Sequence, residues 1–196
     1  MSSHVKVLSI PLSKRLVWVG AIIGFGGYFG IPFHFLSVGS MFSPLFIPIG
    51  IACSLVEPYI AIIVGLLLPL FSGLQTGMPS FHPPFIWLVV FEALAYGLSI
   101  SVFRLKLKWS HFTSVIMGIL IGKLELFLYI FFFGYPLSER YADILTRYAH
   151  SNIWKITIPW NSVLTGIPGS ALALLLVPLI VKWIEDHSDH NNLAAA

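Results

Sequence analysis

The chain alternates between long apolar runs and short stretches rich in Pro, Gly and Ser. An apolar run of about 20 residues is enough to cross a bilayer as a helix. Leu16–Phe35 predicts a first span. Pro44–Val56 has 13 residues and Pro48 inside it. Too short to span unless protein surrounds its ends, it predicts a short or broken second span. Tyr59–Leu74, Pro83–Phe103, Phe112–Tyr135 and Asn161–Ile184 predict spans three to six, with Pro69 near the far end of the third.

The connections differ in character. Ser37–Ser43 is short and polar, and Ser72–Pro84 carries no formal charge while holding Gly73, Gly77, Pro79, Pro83 and Pro84. Such a loop is sharply bent and stiff. It sets Gln75, Thr76 and His82 beside Met78, Phe81 and the following Trp87. A few polar groups on an apolar wall is the composition of a small-molecule site; the other reading is a rigid lid bonded to its own backbone. Residues 136–160 form the longest connection. There Tyr141, Ile144, Leu145 and Tyr148 recur at helical spacing and Asp143 stands four before Arg147, which predicts an amphipathic helix on the membrane surface.

Composition settles the class. The chain is 57% hydrophobic and 10% charged, against about 25% charged in a soluble domain. Its mean hydropathy is +0.89. The expectation is an all-α integral membrane protein with six transmembrane helices, one of them short or broken. Residues 1–190 make one membrane domain, and 191–196 are set aside as an appended tail. Lys6, Lys14 and Arg15 before the first run suggest a signal peptide, but that run is too long and lacks a small-residue cleavage site. With six spans, one side receives Lys6, Lys14, Arg15, Arg104, Lys106, Lys108 and Lys182, and the other only Arg140, Arg147 and Lys155. The positive-inside rule then places both termini in the cytoplasm and the 37–43, 72–84 and 136–160 connections outside, in a multi-pass protein of the cell membrane. The formal charge of +3 resides at span ends and does not point to nucleic acid.

Candidate chemistry is sparse. Glu92, Lys123 and Glu125 fall within spans, where each charge costs on the order of 2.5–3.5 kcal/mol at mid-membrane. Glu92 and Lys123 stand at similar depth and predict a salt bridge, either a structural lock between spans four and five or a ligand contact. Glu125 lies about 200° around the helix from Lys123, so the two do not face one pocket squarely. The single cysteine, Cys53, allows no internal disulfide, and the seven histidines show no metal-ligand spacing, so no metal site is expected. Gly20–Gly30 lacks the ending of a phosphate loop, and no catalytic constellation assembles, so the chain is not expected to be an enzyme. Gly20, Gly24 and Gly27 return to one helix face that a neighbouring backbone can approach, by internal packing or by docking of another subunit. Most tryptophans sit at span ends as an interfacial belt. Trp160 and Asn161 open the sixth span at the outer face and are candidates for pocket lining.

Four pieces, GLLLPLFSGLQTGMP, FEALAYGLSISVFR, MGILIGKLELFL and LTGIPGSALALLLVPLIVKWIE, carry a resemblance. The chain from Pro44 to Ile184 resembles the S-component family of energy-coupling factor (ECF) transporters. Its most telling positions are Thr76-Gly77-Met78-Pro79, Glu92 with Tyr96-Gly97, Gly122 before a basic residue, and Thr165-Gly166-Ile167-Pro168-Gly169. Relatives often carry Arg where this chain has Lys123, and their first-span small-residue motif is usually alanine where Gly20 and Gly24 would stand in. The resemblance implies a subunit that binds a vitamin or related micronutrient at the outer face. It implies docking to a transmembrane coupling subunit, with ATP used by two cytoplasmic ATPases and no cofactor on this chain. The alternative from another class is a ligand-free membrane assembly protein, followed by a solitary transporter or a membrane enzyme.

Overall fold

A computed structural model describes residues 11–26, 28, 45–76, 85–133, 163–164 and 166–193. These residues form six helices: α1 (Leu12–Gly26), α2 (Phe46–Leu55), α3 (Pro58–Thr76), α4 (Phe85–Ser101), α5 (His111–Phe133) and α6 (Ile167–Leu193). A π-helical turn, Val102–Lys106, extends α4. Four helices, α3 to α6, are long and apolar enough to cross a membrane, whereas α1 and α2 are shorter apolar helices. The surface they offer is greasy, with Val17, Leu74 and Phe132 each 72% exposed.

The short helix is the centre. Every residue from Ile47 to Leu55 is buried, and a helix apolar on all sides belongs inside a bundle. It packs on α1, α3, α4 and α6, while α3 packs on α4, α4 on α5 and α5 on α6. Pro48 does not interrupt α2 as the sequence suggests: it lies in the first turn, where backbone N–H groups have no intrahelical partner to lose. At the other end the last carbonyls are satisfied from outside. The Arg15 guanidinium donates to the Leu55 carbonyl at 3.3 Å, and the Ser101 hydroxyl donates to the Val56 carbonyl.

Several boundaries move. The uncharged stretch expected as loop from Ser72 is helical through Thr76, because the Gln75 side-chain amide donates to the Gly24 carbonyl at 2.9 Å and holds the last turn of α3 to the end of α1. The described part of the fourth span runs from Phe85, and α6 starts at Ile167 and runs on to Leu193. Pro69 and Pro178 both lie inside helices. The 37–43 connection and the whole 136–160 segment, with the amphipathic helix expected over 141–148, lie outside the described residues.

Arg104 departs furthest from expectation. The sequence reads it as the first of three basic residues stopping the fourth span, yet its side chain is fully buried. The π-helical turn, with its wider winding, carries Arg104 inward. Its Nη2 donates to Glu185 Oε1 at 2.9 Å, and its Nη1 donates to the Trp109 carbonyl at 3.4 Å. His111 Nε2 stands 3.1 Å from Glu185 Oε2 and from Arg104 Nη2. This cluster binds the end of α4 to α5 and α6. Lys106, by contrast, stays exposed with Glu57 at 3.5 Å, as a stop residue does.

Candidate functional site

The ten residues of α2 make about 15 Å of helix, half of a hydrocarbon core of about 30 Å. Above its first residue the longer neighbours enclose space that α2 does not fill. Phe46 forms one side of a small cavity there, and α4, α5 and α6 supply the rest through Glu92, Tyr96, Gly122, Lys123 and Ser170. Its empty volume is about 230 Å³, part of it open to the surroundings.

The charged pair sits on this cavity. Lys123 Nζ donates to Glu92 Oε1 at 2.6 Å, and the side chains are 16% and 9% exposed. The ammonium also stands over the Phe46 ring, 5.4 Å from its centroid, a favourable cation–π placement. Phe46 in turn meets Tyr96 edge-on at 5.1 Å.

Small residues bring the pair together. A Cβ on Gly118 would lie 2.5 Å from Ile100 Cγ1, so α5 approaches α4 closely there because position 118 has no side chain. One turn on, Gly122 meets Tyr96 in the same way. Gly166 has the corresponding role from α6, since a Cβ there would stand 2.6 Å from Lys123 Nζ. The Ser170 hydroxyl donates back to the Gly166 carbonyl at 2.9 Å and fixes the start of α6.

Two polar atoms near this centre lack partners among the described residues: the Tyr96 hydroxyl and Glu125 Oε2, both buried. Glu125 follows Gly122 by three positions, which places it on the helix face turned to α4, within electrostatic reach of Glu92. It does not line the cavity.

Of the residues singled out in the sequence, the structure brings Glu92 and Lys123 together. Gln75 is exposed and bonded to α1, away from the cavity, and Thr76 is the last residue of α3. Trp87 is half-exposed on the outside of α4, in an aromatic row with Phe91 and Tyr129. Met78, His82, Trp160 and Asn161 lie outside the described residues. Gly20 and Gly24 are exposed, and a Cβ on either would meet no described atom within 4 Å. The contacts of α1 with the core run instead through Val19, Ile22 and Ile23.

Phe46, Tyr96 and Ser170 were not foreseen as lining residues. Tyr96 stands four after Glu92, on the same helix face, a signal present in the sequence. Nothing local marks Phe46, because its role comes from where a short helix begins. Among the described residues no three His, Cys, Asp or Glu side chains gather to hold a metal.

No protein-family model matches the chain, and neither the curated proteins nor the solved structures yield a match.

Proposed function

We propose that this chain is the substrate-binding subunit of an ECF-type importer, capturing a vitamin or related micronutrient at the outer face of the cell membrane. The reading places six spans in the bilayer with both termini in the cytoplasm. It is carried by one observation: a cavity beside the first residue of the short central helix, bordered by the buried Glu92–Lys123 pair. Buried charges within spanning helices are costly and mark substrate pathways, and a pocket between packed helices is a common ligand site. Among the described residues nothing packs on the Gly20/Gly24 face of α1, which supports docking of a coupling subunit there. ATP would be used by partner ATPases.

The test is chemical and then functional. The full chain, purified in detergent and denatured, should release a small molecule detectable by mass spectrometry. Reconstituted with an ECF coupling subunit and its ATPases, it should transport that molecule in an ATP-dependent manner. A chain that releases no small molecule and moves none is the ligand-free assembly protein instead.

A further inference from the structure

The Glu92–Lys123 contact spends only part of the hydrogen-bonding capacity of either group. An ammonium has three donors, and among the described residues Lys123 gives one, to Glu92 Oε1. Glu92 Oε2 accepts no bond among those residues. Among the described residues two donors and one acceptor therefore remain side by side where the pair borders the cavity.

Charge decides what can use them. A ligand anion must either displace Glu92 from Lys123 or add a third negative charge beside Glu92 and Glu125. A ligand cation meets Lys123, which already occupies the Phe46 ring face at 5.4 Å. Either way a buried charge is left without its compensation, which is strongly unfavourable. A neutral group that accepts from Lys123 and donates to Glu92 satisfies both and leaves the pair intact. The cavity is small and partly open, too little space to enclose a whole ligand, so it seats at most one end of a molecule.

We propose that this cavity receives a polar end group of zero net charge, an amide, lactam or ureide edge, which accepts from Lys123 and donates to Glu92. The proposal rests on the substrate-binding reading above and names the ligand chemistry of that site.

The test uses the full chain in detergent, with the copurified molecule released by denaturation and quantified by mass spectrometry per mole of protein. The parent should release a molecule without net charge at neutral pH. Glu92→Gln and Lys123→Met should each retain roughly ten- to hundredfold less, the loss expected for a hydrogen bond to a charged group. Because each single variant leaves a lone buried charge, the double variant Glu92→Gln/Lys123→Met serves as the folded control. It should elute as a monodisperse species and show the same drop. An anionic ligand would be held as well or better by Glu92→Gln, and a cationic one by Lys123→Met. Either result, a charged molecule from the parent, or parent-like retention by the double variant overturns the proposal while leaving the binding reading standing. Release of nothing from the parent sinks the binding reading and this proposal with it.

Discussion

Glu92 and Lys123 hold each other at 2.6 Å in a region where an unpaired charge has little water to turn to. Removing one partner of a buried pair costs about 3–5 kcal/mol, whereas removing both is often neutral. Glu92→Gln and Lys123→Met should therefore each lower the melting temperature of the purified protein, and the double variant should recover most of the loss. Simple addition of the two losses would mean that the residues do not act as a pair. Glu125 should behave in the opposite way. Its Oε2 is buried without a described partner, and its neighbour Glu92 carries the same charge. Glu125→Gln, which keeps the shape and removes the charge, should leave the melting temperature unchanged or raise it. A fall like that of Glu92→Gln would reveal a partner outside the described residues.

At the scale of helices, glycine has two distinct uses here. Gly118 lets α5 lie against Ile100 of α4, and the Lys123–Glu92 bond one and a half turns away depends on that approach. Gly118→Leu should destabilise the fold by about 1–3 kcal/mol, the usual range for overpacking, and should loosen ligand retention as α5 is pushed aside. A Cβ on Gly20 or Gly24 would meet no described atom within 4 Å. Gly20→Leu should leave thermal stability and ligand affinity close to the parent, yet abolish uptake in cells holding the coupling subunit and ATPases. A large loss of affinity would place that face in the pocket rather than at a subunit contact. The polar cluster at the far end makes a similar point about elements: Arg104 joins α4 to α6 through Glu185, a tie between residues 81 apart in the chain.

For the whole molecule, polarity is distributed along the bundle in layers. Arg15, Glu57, Arg104, Lys106, His111 and Glu185 gather at the end where α2 finishes and α4 turns into α5. The cavity with Glu92 and Lys123 lies toward the end where α2 begins. In the proposed orientation the first end faces the cytoplasm. Reporter fusions active only in the cytoplasm should therefore give signal at both the N- and C-terminus, and none when inserted between residues 77 and 84. Opposite signals at the two termini would mean an odd number of spans and would move the cavity mouth relative to the membrane.

Hydrophobic run length and the scarcity of charge were sufficient, without coordinates, to identify an all-helical chain with long apolar helices, because a helix's need to satisfy its own backbone in lipid is a local constraint. The Glu92–Lys123 pair was legible for a related reason: two opposite charges at matching depth in adjacent spans have few other ways to be satisfied. The fate of Arg104 was not legible. A basic residue after an apolar run reads as a stop, and only the π-helical turn together with Glu185, 81 positions away, turns it into the core. The cavity was likewise decided by tertiary structure. Phe46, Tyr96, Lys123 and Ser170 meet because a helix of ten residues is packed among longer ones, and the space left above it depends on how the helices pack, which no single segment of sequence records.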